Sequence, residues 1–200
     1  MSMTSSLLHI SGSLDWLSLP ALKVAAGEVI ALHGESGAGK SRLLRTLADL
    51  DPNTLGVTLN GTSREDTTAN QWRKALQYLP AEPVWWTETA AEVIAPDYAA
   101  LASDLGLKAQ LLDQPISRLS TGERQRLALL RSLSVSPSIL LLDEPTAALD
   151  QSATEKVEKL LRDWVQAEPR AIIWVSHDAA QRQRIATQEW HIANGALQCQ

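Results

Sequence analysis

Two hundred residues with 44% hydrophobic content are enough to bury one sizeable core, so the length predicts a single domain over 1–200. A formal net charge of −5 argues against the basic footprint that holds phosphate backbones, and no nucleic-acid partner is expected. The only cysteine, Cys199, excludes internal disulfides and offers no metal-ligand cluster, which fits a reducing compartment.

Met1 to Ile10 has no basic stretch followed by an apolar one, so no secretory signal is expected. Leu7–Ile10 and Leu19–Val24 read as strands leading to Gly27-Glu28, and Val29–His33 as a short apolar strand stopping at Gly34. Gly34-Glu35-Ser36-Gly37-Ala38-Gly39-Lys40-Ser41 then satisfies G-x-x-x-x-G-K-[ST] at every required position, between a strand and the helix predicted over Ser41–Leu50. In such a loop glycines let successive N–H groups point at phosphate oxygens, and the following helix adds the positive end of its dipole. Lys40 supplies a point charge to the β- and γ-phosphates, and the Ser41 hydroxyl suits Mg²⁺. ATP and Mg²⁺ are therefore the expected ligands.

Val57–Leu59 followed by Asn60-Gly61 predicts a strand running into a turn. From about Glu82 to Val135 the strand signals give way to helix-like stretches at Tyr98–Leu105 and Glu123–Leu133, which predicts a helical insert over about 82–135. Ile139–Leu142 and Ile172–Val175 suit strands buried on both faces of a parallel sheet. They also fall far short of the roughly 20 apolar residues that cross a bilayer. Between them Ser152-x-x-Glu155 reads as a capping box, followed by the buried stripe Val157, Leu160, Leu161, Trp164 and Val165. Trp190–Ala193, Asn194-Gly195 and Ala196–Gln198 predict a closing hairpin.

Asp143 and Glu144 follow the apolar run Ile139–Leu142, at the strand end where open α/β sheets collect ligands. Asp143 is placed to hold the hydration shell of Mg²⁺, and Glu144 to orient or deprotonate the attacking water. By itself an apolar run ending in two carboxylates says little; downstream of a phosphate loop it says much more.

Leu119-Ser120-Thr121-Gly122-Glu123-Arg124-Gln125-Arg126 resembles the signature of ATP-binding cassette (ABC) proteins, and the resemblance extends over nearly the whole chain. Ala147-Ala148-Leu149-Asp150 resembles the family's D-loop, and His177 its switch histidine. Ser120-x-x-Glu123 is also an ordinary capping box with Leu127, Leu130 and Leu133 on the buried side, and a helix start of that kind is an anion site.

The resemblance implies a P-loop NTPase fold: a mostly parallel core sheet, an N-terminal antiparallel β subdomain and an inserted helical subdomain. It implies ATP hydrolysis by a homodimer or ABC heterodimer arranged head to tail, each ATP lying between Lys40 of one subunit and Ser120 and Gly122 of the other. It implies further that Arg42 and Asp150 border the nucleotide and that Trp16 stacks on adenine, although a plain core role suits Trp16 nearly as well. Thr121 stands where the signature has glycine, Arg42 where the family prefers threonine, and Ala81 where it has the glutamine that reaches the metal.

In the transporters of this family, the region corresponding to Val84-Trp85-Trp86-Thr87 to Val93 forms a groove for a short helix of the membrane subunit. Adjacent tryptophans cannot both face inward on a regular element, so the expectation is at least one at the surface as an interface anchor, with irregular loop packing as the equal alternative. The implied role is a cytoplasmic ATPase, peripheral on the inner membrane, that powers a separate integral permease. The compact insert and Trp174-Val175-Ser176-His177 loosely resemble small bacterial cassettes of the FetA type, linked to iron export. A soluble cassette ATPase serving as an assembly scaffold, of the iron–sulfur type, is the alternative.

Overall fold

A computed structural model describes residues 6–200. β1 (Ser6–Ser11) turns Leu8 and Ile10 inward and pairs antiparallel with β2 (Leu22–Ala25), which begins later than the apolar run because Pro20 has no N–H to give a ladder. β3 (Val29–Gly34) enters a different sheet and ends at the phosphate loop.

α1 (Lys40–Leu47) stops short of the expected Leu50. Asp49 takes φ 57°, its N–H returns to Thr46 O, and Leu50 N–H returns to Arg45 O, a left-handed helix stop. The Asp49 carboxylate then pairs with Arg64 at 2.6 Å. β4 (Gly56–Leu59) joins β1, and β5 (Thr62–Ser63) closes an antiparallel sheet of order β2-β1-β4-β5. The sequence reading passes over α2 (Ala69–Ala75), although Thr68 and Gln71 cap it reciprocally.

β6 (Leu76–Leu79) begins the second sheet's far edge. Between it and β7, the expected helix over Tyr98–Leu105 is only α3 (Pro96–Ala99) and a tight turn over Ala100–Ala102, and Gly106 at φ 68° turns the chain away. α4 (Thr121–Leu133) is regular, and Ser120 and Glu123 cap it reciprocally.

β7 (Ile139–Asp143), α5 (Gln151–Ala167), β8 (Ala171–Val175), α6 (Ala179–Ile185), β9 (Gln188–Ala193) and β10 (Ala196–Cys199) complete the fold. The N-cap of α5 is Asp150, whose Oδ1 accepts the Ala153 N–H at 2.8 Å; Ser152 lies inside the first turn and does not cap. Asp and Ser cap comparably, and the loop reaches Asp150 first.

The larger sheet has order β10-β9-β3-β8-β7-β6, parallel from β9 to β6 with β10 antiparallel at the edge. Both of its faces are covered. Ile139 and Leu141 of β7 join one apolar cluster with Ile30, Leu32, Ile173 and Val175, while Leu140 and Leu142 join the other with Ile172, Trp174 and the α5 stripe. A strand alternates its side chains, so a run of four apolar residues is what two covered faces require. The parallel strands β3, β8 and β7 thus deliver Gly34, Ser176 just beyond β8, and Asp143 side by side at the carboxyl ends of the strands.

Candidate nucleotide site

Gly34 leaves β3 at φ 149°, and a Cβ there would strike the Ile192 carbonyl, so the strand can turn into the loop only with glycine. Gly39 precedes α1 at φ 97°, where a Cβ would strike the Trp16 ring. Trp16 therefore lies against the phosphate loop, and the Arg42 guanidinium sits over its ring 4.5 Å from the centroid. Lys40 is buried, 6% exposed, and donates to Gly34 O at 2.9 Å and Glu35 O at 2.8 Å. Burial lowers its pKa, and the nearby Glu144 and Asp143 charges oppose that. Glu35, Ser36, Gly37 and Ala38 line a cavity of about 430 Å³ with the β9–β10 turn.

Asp143 is buried at the end of β7, and its Oδ2 accepts the Tyr78 hydroxyl at 3.1 Å. Burial and then the Asp143 charge push the Tyr78 phenol well above its usual range, so it stays a donor. Glu144 follows at φ 49°, an uncommon conformation for a side chain of this size. Its N–H donates to Val175 O at 3.2 Å, which ties it to the end of β8. From there its Oε1 meets His177 Nε2 at 2.9 Å.

A buried network lies behind this pair. Gln181 is 3% exposed; its Oε1 accepts the Ser176 hydroxyl at 2.7 Å, and its Nε2 donates to Thr146 Oγ1 and Glu158 Oε1, both at 3.0 Å. Arg184 adds a second partner for the buried Glu158, Nη2 to Oε1 at 2.8 Å. One amide thus fastens the segment after Glu144 to the segment before His177. Neither Gln181 nor Glu158 carries a motif that could have marked it, while Tyr78 stands just before Ala81 in the segment where the family has its glutamine.

The Ser120 hydroxyl donates to Glu123 Oε2 at 2.8 Å, and the Ser120 N–H reaches the same oxygen. These bonds, the backbone one first, hold the Glu123 carboxyl below the usual range. A Cβ on Gly122 would lie 3.1 Å from Leu149 Cδ2 and 3.2 Å from Ala148 O, so the start of α4 packs closely on the segment ending at Asp150. Among the described residues no hydrogen bond or ion pair joins Ser120 or Asp150 to the phosphate loop. The parallel ladders bring the phosphate loop, Asp143, Glu144 and His177 to one end of the larger sheet, while Ser120 and Gly122 start α4 beside the segment ending at Asp150.

Ser41 and Asp143 supply one hydroxyl and one carboxylate near the phosphate loop, and no cluster of three or more His, Cys, Asp or Glu able to hold a metal occurs among the described residues. Two hard oxygen donors fit Mg²⁺, which keeps several waters and takes its other ligands from phosphate.

A groove of about 800 Å³ runs from α1 and β6 to α4, and Leu50, Val84, Trp86 and Val135, all the large exposed apolar side chains among the described residues, line it. Arg131 lies 4.4 Å from the ring centroids of both Trp85 and Trp86 and donates to Val84 O at 2.9 Å. Trp86 is 70% exposed and Trp85 is partly buried in the core, as the doubled tryptophan predicts. No helix among the described residues is long and apolar enough to cross a membrane.

The family model described as ABC transporter matches residues 17–147. The aliphatic sulfonates import ATP-binding protein SsuB 2 of Mesorhizobium japonicum (strain LMG 29417 / CECT 9101 / MAFF 303099) is 35% identical over 192 residues, 92% of this chain and 73% of its own. FetA of Escherichia coli (strain K12), named a probable iron export ATP-binding protein, is 31% identical over 183 residues, 85% of this chain and 81% of its own. An ATP-bound bacterial Atm1-family ABC exporter superposes with TM-score 0.78 at 26% identity, over 95% of this chain and 37% of that one. The ATP-binding cassette MJ0796, a dimer in a post-hydrolysis state with ADP and Pi, superposes with TM-score 0.80 over 98% of this chain and 96% of its own; at 22% identity that likeness is one of fold. An import subunit and a probable export subunit thus resemble the chain to similar degrees.

Proposed function

This chain belongs to the ABC transporter family as an ATP-binding, ATP-hydrolysing subunit, and from that premise we propose that residues 1–200 form one nucleotide-binding domain, with an insert over about 82–135, that closes head to tail on Mg²⁺-ATP. Lys40 and the loop N–H groups of residues 34–41 bind the phosphates. Ser41 and Asp143 hold Mg²⁺, which when bound supplies charge neutralisation on the phosphate oxygens. Glu144 orients and deprotonates the attacking water, and His177 steadies Glu144 from β8. The observation that carries this reading is the 2.9 Å contact between Glu144 and His177 beside the strand that delivers Lys40.

Ser120 and Gly122 cap an anion from the second subunit's side, and Asp150 borders the same interface. That neither Ser120 nor Asp150 hydrogen-bonds to the phosphate loop among the described residues supports a site completed by two. Trp16 offers adenine its ring once Arg42 swings aside.

The power stroke is delivered to a separate permease on the cytoplasmic face of the inner membrane, through the groove. The gathering of Leu50, Val84, Trp86 and Val135 in one groove supports this, since apolar patches rimmed by polar groups mark interaction sites. The test is affinity purification of the Glu144→Gln chain with ATP from detergent-solubilised membranes, followed by mass spectrometry. A polytopic membrane protein in stoichiometric amount is expected. Recovery of soluble proteins alone would replace the permease with a soluble assembly partner.

A further inference from the structure

Tyr78 borders the groove and holds Asp143 with its hydroxyl. Among the described residues, no other side chain lining the groove hydrogen-bonds to the carboxylate at the end of β7. The backbone is fixed on both sides of this bond, because Tyr78 pairs with Leu141 in the parallel ladder that leads directly to Asp143. The Tyr78 ring can move only by its own two torsions. Asp143 in turn is buried and receives no second side-chain hydrogen bond among the described residues, so the Tyr78 hydroxyl holds its orientation. Nearby Ala81 ends in a methyl group and supplies no polar atom to this carboxylate.

We propose that Tyr78 is a positioning residue that relays occupancy of the groove to Asp143, so that a side chain seated against the ring fixes the carboxylate and strengthens the metal side of the nucleotide site. The proposal rests on the reading of the groove as the permease dock. The bond is already made in the chain alone, and a side chain packed against Tyr78 from the groove holds the hydroxyl on Oδ2 more firmly by closing off the ring's other rotamers.

The experiment uses the full chain and no permease. In a Cys199→Ser background, Val84→Cys on the groove rim is labelled with fluorescein maleimide. Binding of β,γ-imido ATP is then measured by equilibrium dialysis across a Mg²⁺ series, in the Tyr78 chain and in Tyr78→Phe, with circular dichroism confirming that both fold. Without label, Tyr78→Phe is expected to need roughly ten-fold more Mg²⁺ for half-saturation, the scale of one hydrogen bond to a charged group. Labelling is expected to lower the Mg²⁺ requirement of the Tyr78 chain several-fold and to leave that of Tyr78→Phe unmoved. An equal shift in both chains, or none in either, overturns the relay. Whether a permease co-purifies is a separate result, so failure of the dock and failure of the relay are told apart.

Discussion

His177 and Glu144 lie just beyond different strands, β8 and β7, and Nε2 of one stands 2.9 Å from Oε1 of the other. The parallel ladder places Asp143 opposite Val175, so the residues that follow leave the sheet together. On the proposed reading, a carboxylate held in this way acts on water as part of a pair. Glu144→Gln is expected to keep nucleotide affinity and to lower turnover by about 10²–10⁴. His177→Ala is expected to lower it too, and the double variant should fall little below the worse single one, because groups that act as a unit are not additive. Steady-state hydrolysis with parallel ATP-binding isotherms checks this; an active Glu144→Gln chain would remove Glu144 from the role of base.

Gln181→Leu keeps the volume and removes the amide that joins Thr146, Ser176 and Glu158. The loss of stability is expected at about 2–3 kcal/mol, since buried partners are left unsatisfied. Urea unfolding measures it. Turnover should drop as well, with little change in the KM for ATP, because the loops carrying Glu144 and His177 lose their common fastening. A Leu variant as stable as the parent would show that water replaces the amide.

Trp16 touches the phosphate loop at Gly39 and carries Arg42 on its ring. If it also receives adenine, Trp16→Ala weakens ATP binding by about 1–3 kcal/mol, the range for a base stacked on an aromatic ring. Binding of inorganic tripolyphosphate, which has no base, is then unchanged. Calorimetry with both ligands separates the roles: equal losses would assign Trp16 to support of the loop alone.

His33 stacks on His191 with ring centroids 4.5 Å apart and lies 3.2 Å from Glu189. Burial first, then Arg182, His191 and Lys40, hold its pKa below the ordinary 6.5, with Glu189 opposing. The folded chain therefore binds fewer protons at His33 than the unfolded chain once the pH falls below 6.5. This contribution to stability is present at neutral pH and is lost as the pH drops through the folded value. Melting temperatures taken from about pH 7.5 to about pH 5.5 should fall, and His33→Leu should reduce the fall. An identical pH slope in the two chains would mean that other groups cause it.

Much of the larger sheet was legible in the chain. Ile139–Leu142 and Ile172–Val175 are apolar on alternate positions in both directions, which a strand covered on one face does not need. The capping pair at Ser120 and Glu123 was readable for the same reason, since an N-terminus needs acceptors at fixed offsets. Where two caps were possible the local pattern misled, and Asp150 rather than Ser152 starts α5. The short α2 went unread beside its own Thr68–Gln71 pair because its seven residues carry only one buried side chain, Trp72, too few for a periodicity.

The sequence by itself determined the phosphate loop between an apolar strand and a helix and the doubly covered strands β7 and β8, because each depends on neighbours along the chain or on a backbone angle only glycine adopts freely. Tertiary structure alone decided that His177 reaches Glu144, that Tyr78 holds Asp143, that Gln181 joins two loops, and that four exposed apolar side chains share one groove. Those contacts follow from the strand order β3-β8-β7-β6, which brings distant segments within a few ångströms of one another, and no local periodicity records that order.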